Sequence, residues 1–408
     1  LGKIINCLKQ TKIALSSFCL LFFKFLKISY TNTMKILLTG GGTGGHFYPL
    51  IAIAEEINKL VDKEKILDVK LYYMSDAPYD KRMLFENNIE FVGVPAGKMR
   101  TYSSILNFLD LFKTATGLFY GLIRLFSIYP DVVISKGGYA SFPAVFAAKI
   151  LRIPVIVHES DSSAGRLNLW ASKFAKRIAV SYPEAGEQFP KDKTAWVGQP
   201  VRREVSAAAT TGMFEFFKLS RDVQTIFVVG GSQGAEIINS TLIEALPDLI
   251  SKYQIIHQAG PKNFEEVKLR SDLMLEKNPY KARYLAYPYL NNLTTKMAAG
   301  AATLVISRAG STIFEIAAWG VPSIIIPITN SNGDHQRKNA FSYARAGACD
   351  VLEEANLTPH VLVAEIDKLM NNTDRLNQMK EKAKAFSTPD AATKIAQEAI
   401  DMALAHEA

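Results

Sequence analysis

The sequence predicts an α/β chain of two Rossmann-like parallel-sheet domains facing each other across a cleft. Three observations carry this reading. Short β-branched, apolar runs alternate with helix-length stretches from Met34 onward. The pattern resets once, near residues 198–206, and glycine-bearing turns stand where strands end.

The first series runs through KILLT, VKLYYM, FVGV, DVVIS, PVIVH and RIAVS. A helix is expected from about His46 to Leu60 after the first run, and another near Tyr79 to Asn87 after the second. Apolar runs joined by helices are the pattern of a parallel sheet covered on both faces. Around WVGQPVRREV, Gly198 and Pro200 interrupt the text, and TIFVVGG, YQIIHQAG, ARYLAY, TLVISRAG and SIIIP follow. Beyond residue 355 only helices are expected, the last from about Asp390 to His406. The expected domains are 34–200 and 201–387, with a C-terminal helix, about 388–408, in position to pack back on the first.

With 408 residues the chain is long enough for two cores, and 48% apolar with 21% charged residues is an ordinary soluble composition. Cys7, Cys19 and Cys349 are too few and too scattered for a disulfide framework or a zinc site, which fits a reducing compartment. The net charge of +8 is local: Lys3, Lys9, Lys12, Lys24 and Lys27 lie in residues 1–33 without any acidic residue, which leaves +3 for the rest. That is no footprint of a nucleic-acid partner. The apolar run Ile13 to Phe23 is shorter than the roughly 20 residues of a spanning helix, and no small-residue cleavage site follows it. Residues 1–33 therefore read as an extension outside the fold, upstream of a true start at Met34. The rival reading is a basic amphipathic membrane anchor.

Ligands of such sheets bind at the carboxyl ends of the strands. Four glycine turns stand there, at 40–45, 136–138, 230–234 and 307–312, two in each half. Gly40, Gly42 and Gly45 formally satisfy G-x-G-x-x-G, but Asp76 lies too far along for the usual ribose-binding acid, so nicotinamide is weakly supported. No Lys-Ser/Thr follows the glycines, which excludes a Walker loop. What remains is a turn whose N–H groups meet an anion at a helix N-terminus. The rival is a tight turn without a ligand.

His46, in the expected first helical turn, has the chemistry of a proton acceptor or of an ordinary structural histidine. In VVGGSQGA, Ser232 offers a hydroxyl to a phosphate oxygen. Ser311 and Thr312 open the next helix with Glu315 in its first turn, where the carboxylate either completes a cap or accepts from a ribose diol. Gln336 both donates and accepts, which suits vicinal hydroxyls. His158 and Glu159 lack a third metal ligand at recognisable spacing, and no Asp-x-Asp pair ends a strand. A diphosphate would have to be neutralised by helix N-termini and Arg202. The apolar stretch 97–130 carries Phe108, Phe112, Phe119, Tyr120 and Phe126, with Lys98, Arg100, Lys113 and Arg124 interspersed. It reads as a partly buried cover helix that also dips into an anionic membrane.

GGTGGHFYP, SKGGYASFPA, HESDSSAG, VGQPVR, GGSQGA and SRAGSTIFEIAAWGVPSIIIP, followed by HQRKNA, together resemble the MurG family of UDP-N-acetylglucosamine-dependent transferases, in the family's order from residue 34 to about 345. The resemblance implies a GT-B fold, with an acceptor- and membrane-side first domain and a UDP-sugar-binding second domain. It implies an inverting transfer of N-acetylglucosamine from UDP to lipid I, giving lipid II, at the cytoplasmic face of the cell membrane, with no metal or other cofactor. Thr43, Gly44 and Gly45 match the family's donor-contacting glycine loop. Arg202 matches the arginine at the domain junction, Ser232 the phosphate-contacting serine, Glu315 the ribose-binding acid and Gln336 the glutamine that reads the sugar. Asn291 falls where uracil meets backbone groups. The chain departs from the pattern at Asp161, where many members have Asn, and in GSTIFE, one residue shorter than the commonest form, which leaves Ser311 and Thr312 uncertain by one position. Other GT-B UDP-sugar transferases on lipid acceptors, UDP-sugar epimerases and binding proteins are the alternatives.

Overall fold

The computed structural model describes residues 33–65, 68–97, 105–231, 233–329 and 331–407, with the side chains of 105–109, 332, 406 and 407 excepted. The reading of 1–33 as an extension therefore falls, but for Thr33, outside the described residues. Seven parallel strands form the first sheet: β1 (Met34–Thr39), β2 (Val69–Ser75), β3 (Ile89–Gly93), β4 (Val132–Ser135), β5 (Val155–Glu159), β6 (Arg177–Val180) and β7 (Thr194–Trp196), in the order β3-β2-β1-β4-β5-β6-β7. Six form the second: β8 (Thr225–Val229), β9 (Gln254–Gln258), β10 (Tyr284–Tyr287), β11 (Leu304–Ser307), β12 (Ser323–Ile325) and β13 (Cys349–Val351), in the order β10-β9-β8-β11-β12-β13.

The order reverses between β1 and β4 in one sheet and between β8 and β11 in the other. At such a switch point the two adjacent connections leave toward opposite faces, and a crevice opens at the strand ends. All four glycine turns of the sequence fall at these two crevices.

Central strands such as β4, β5, β8 and β11 are buried along their whole length, which is why they read as unbroken apolar runs. Helix α1 (Gly44–Glu64) buries Phe47, Leu50, Ile51, Ala54 and Ile57 at helical spacing and stops at Lys65 in the left-handed region. The short helix Lys81–Glu86 starts where the Asp80 carboxylate accepts from the Arg82 and Met83 N–H groups. Helix α2 (Ile105–Ile128) lies against helix α3 (Phe142–Leu151). Its glycines permit the approach: a Cβ on Gly117 would meet the Pro95 carbonyl oxygen at 1.9 Å.

Each sheet has an apolar core on either face. One core of the first domain includes Ile395, Ala396, Ala399 and Ile400 from α8 (Ala391–Glu407), which thus packs back on that domain, while α4 (Glu236–Lys252) and α5 (Asn292–Ala301) belong to the cores of the second. The chain thus crosses between domains twice, and the crossings touch. Gly198 has φ +88, and a Cβ there would lie 1.7 Å from Thr388 Oγ1, so only glycine fits. Behind the cleft, Tyr182 of the first domain packs edge-on to Phe314 at 5.1 Å and tilted against Phe386 at 6.0 Å.

Candidate active site

The two switch points open into one cleft of about 1810 Å³ lined from both domains. From the first come Thr43, Gly44, Gly45 and His46 of the turn after β1, Lys136, Gly138 and Tyr139 after β4, and Asp161 after β5. From the second come Gly230, Gly231 and Gln233 after β8, Ser311 and Thr312 after β11, Glu315 on helix α6 (Thr312–Trp319) and Gln336 on helix α7 (His335–Arg345). Arg202 enters from the linker. The N-termini of α1 and α6 face each other: a Cβ on Gly45 would come 3.4 Å from Ser311 Oγ. Two helix N-termini converging from opposite domains bring positive ends and free N–H groups to one spot.

His46 is half-buried, with Nδ1 3.1 Å from Thr43 Oγ1 and a ring N–H donated to the Gly41 carbonyl. The other ring nitrogen therefore keeps its lone pair. Burial first, then the nearby Lys136 ammonium, push the imidazole down to about 4, against an opposing pull from Asp161. It is neutral at physiological pH, the form a base needs.

Lys136 is a buried cation that the sequence reading passed over. It is 1% exposed, and Nζ donates to His158 Nδ1 at 2.5 Å, to Gln199 Oε1 at 3.1 Å and to Ser160 Oγ. His158 Nε2 in turn donates to the Gly198 carbonyl at 3.0 Å. Both nitrogens of His158 are thereby engaged, and the Glu159 carboxylate accepts from the Asp161 and Gly165 N–H groups and from Asn168 Nδ2. His158 and Glu159 belong to separate networks that tie the end of β5 to the linker and to its own loop. Among the described residues no group of three or more His, Cys, Asp or Glu is arranged to hold a metal.

Arg202 is 8% exposed, stacks its guanidinium 4.1 Å from the Tyr48 ring centroid and donates from Nη1 to Asn292 Oδ1 at 3.1 Å. Its Nε is buried without a partner. Glu315 does not build a capping box, since Ser311 at the cap makes no side-chain bond. Its carboxyl is pushed up by burial, with Arg202 pulling the other way. Gln336 lines the cleft with Oε1 accepting from the Ile328 N–H at 3.2 Å, which leaves its NH₂ as a donor. Asp161 Oδ1 accepts from Asn339 Nδ2 at 2.9 Å.

Not all the expected residues gather here. Asn291 caps the helix Asn292–Ala301, its side chain accepting from the Thr294 N–H at 2.9 Å, and its neighbours Leu290 and Asn292 line the cleft in its place. Ser232 lies outside the described residues, though Gly231 and Gln233 on either side line the cleft. On α2, Phe112 and Phe119 are 58% and 64% exposed and Arg124 is exposed, while the Phe108 side chain lies outside the described residues. Tyr139, whose hydroxyl donates to Asp76 Oδ2 at 2.8 Å, was legible only as part of the SKGGYAS turn.

Two Rossmann-like sheets with their switch points turned into one cleft define a GT-B fold with a ligand site between its domains. The comparisons narrow the class. The glycosyltransferase family 28 N-terminal domain matches residues 36–180 and its C-terminal domain residues 225–395. A Natranaerobius thermophilus protein named UDP-N-acetylglucosamine–N-acetylmuramyl-(pentapeptide) pyrophosphoryl-undecaprenol N-acetylglucosamine transferase is 35% identical over 368 residues, covering 89% of this chain and 98% of its own. Its Halothermothrix orenii namesake is 36% identical over 365 residues, 87% of this chain and 95% of its own. The crystal structure of Acinetobacter baumannii MurG aligns with a TM-score of 0.68 at 25% identity, over 90% of this chain and 99% of that one. A putative UDP-N-acetylglucosamine 2-epimerase from Listeria monocytogenes reaches 0.66 at 13% identity, over 91% and 97%, a likeness of fold alone. The chain belongs to the MurG family of N-acetylglucosamine transferases within glycosyltransferase family 28.

Proposed function

We propose that this enzyme moves N-acetylglucosamine from UDP-N-acetylglucosamine to the 4-hydroxyl of the muramic sugar of lipid I, forming lipid II, as a peripheral protein at the cytoplasmic membrane face. Family membership supports the substrates. The observation that carries the mechanism is the pair of opposed helix N-termini at Gly45 and Ser311, with Arg202 and its unpartnered Nε beside them.

The donor lies against the second domain. Its pyrophosphate takes N–H groups of the turns at 230–234 and 310–312, with Arg202 as countercharge and no metal required. Glu315 accepts from the ribose diol, and Gln336 and Asp161 hold the sugar hydroxyls. Leu290 and Asn292, on either side of Asn291, meet the uracil with main-chain groups. The acceptor 4-oxygen bonds to the anomeric carbon from the face opposite UDP. The bond from that carbon to the phosphate oxygen breaks, and its electron pair leaves with UDP. The proton of the attacking hydroxyl passes to the unprotonated ring nitrogen of His46. Inversion follows from this single displacement.

A radiolabelled transfer assay with a lipid I analogue tests the reading. His46→Ala is expected to lower kcat by about 100- to 10,000-fold while UDP affinity stays within about twofold. Unchanged turnover removes His46 from the mechanism. Full activity in chelator is expected, and its loss contradicts the metal-free charge assignment.

A further inference from the structure

Asn339 is a buried side chain between the two domains that makes four hydrogen bonds. It sits on α7, one turn beyond Gln336, and is 1% exposed. Nδ2 donates to Asp161 Oδ1 at 2.9 Å and to the Ala309 carbonyl at 3.1 Å. Oδ1 accepts from the Ser162 N–H at 2.8 Å and from Ser162 Oγ at 2.9 Å. The two donors and two acceptors of a carboxamide are all used. Three of the four bonds cross to the first domain, and the fourth reaches the glycine turn that leads into the N-terminus of α6.

Two further bonds run along the same helix face. Ser342 Oγ donates to Glu184 Oε1 at 2.9 Å, and Arg345 Nη2 donates to the same oxygen at 2.7 Å. Arg345 and Glu184 are both well exposed, so their ion pair is worth little, and the buried Ser342 hydroxyl adds a single bond. Asn339 differs because only an amide meets a carboxylate and a carbonyl with one end and an N–H and a hydroxyl with the other.

On the reading that Gln336 and Asp161 hold the donor sugar, we infer that Asn339 is a positioning residue. It clasps the loop after β5 onto α7, so that the sugar contacts from the two domains form together and only in the closed cleft. The uridine diphosphate, held by the second domain and the linker, does not need this clasp. Asn339 is therefore a determinant of sugar recognition without touching the sugar. The sugar site is completed across the domain boundary, and a donor that lacks the sugar closes the cleft less well.

Calorimetric binding of UDP and of UDP-N-acetylglucosamine to the full chain tests this without relying on catalysis. Asn339→Ala is expected to weaken UDP-N-acetylglucosamine about tenfold and to leave UDP within about twofold. Asn339→Asp turns a donor into an acceptor against the Asp161 carboxylate and is expected to weaken the sugar nucleotide further. Adding Asp161→Asn in that background restores a donor to the pair and should recover part of the affinity. Equal weakening of both ligands, or no recovery in the double variant, overturns the inference. UDP binding doubles as the control for folding. Should Asn339→Ala not fold, Ser162→Ala removes one of the same bonds from the loop side and is expected to cost the sugar nucleotide about threefold, with UDP unaffected. An unchanged ratio there also overturns it. Transfer to a lipid I analogue by the unaltered enzyme reports separately on the transferase reading.

Discussion

Burial keeps His46 neutral, and Lys136 beside it adds to that effect. A buried ammonium is costly unless its protons are bonded, and Lys136 meets this with His158, Ser160 and Gln199. Burial pulls the lysine down to about 7, while Glu159 and Asp161 pull it back. As pH falls through 7 the lysine charges fully and holds off a second cation at His46. The groups acting on His46 are Lys136 and His335, which lower its pKa, and Asp161, which raises it. Because protonated His46 accepts no proton, activity is lost on the acid side only as pH falls toward about 4. Lys136→Met removes the repulsion, so the acid limb of kcat/KM is expected to move up by about one pH unit. Lys136→Arg should hold it in place. A limb that does not move in Lys136→Met would show that burial alone tunes the base. A lysine in a glycine turn has the look of a surface charge. Only the switch-point topology, which folds the linker residue Gln199 over it, reveals it as internal.

At the scale of elements, α2 has two unlike faces. Its glycines press on Pro95 and Pro143, and Leu125 is fully buried in the first domain's core. The opposite side exposes Leu111, Phe112, Phe119, Tyr120 and Ile123, with Lys113 and Arg124 beside them. Asp110–Ile128 is the one stretch among the described residues long and apolar enough to cross a bilayer, at a mean hydropathy of 1.2. Its packing on α3 fits a helix that lies at the surface better than one that spans. Replacing Phe112 and Phe119 together by serine is expected to lower partitioning onto vesicles rich in anionic lipid by at least about tenfold, since each buried ring contributes about 1.5–3 kcal/mol. Cosedimentation measures this, and undiminished binding would move the membrane contact elsewhere. Most strands were legible because burial on both faces makes them continuous apolar runs. The edge strands β7 and β13 were not, since TAW and CDV are only partly buried and so lack the continuous apolar run that marks β12 at the same length. Asn339 was hidden for a related reason: it lies in the polar run HQRKNA, and three of the four bonds that satisfy it come from the facing domain.

For the whole molecule, the decisive feature is that both sheets reverse strand order where glycine turns end their central strands. The sequence displayed those four turns and a cleft that could present them from both sides, but not how closely they approach, because no local pattern fixes how two domains face each other. The linker at Gly198 and the return at Thr388 hold them so, touching where the chain crosses in both directions. Large side chains at Gly198 would separate the crossings and splay the cleft. The account rests on a donor gripped from both sides, its pyrophosphate on main-chain N–H groups and Arg202. A crystal structure with UDP-N-acetylglucosamine and magnesium tests it most directly. Phosphate oxygens are expected at the N-terminus of α6 and the 230–234 turn, within reach of Arg202, and the sugar between Gln336 and Asp161. A nucleotide outside the cleft, or a magnesium ion bridging its two phosphates, would contradict it.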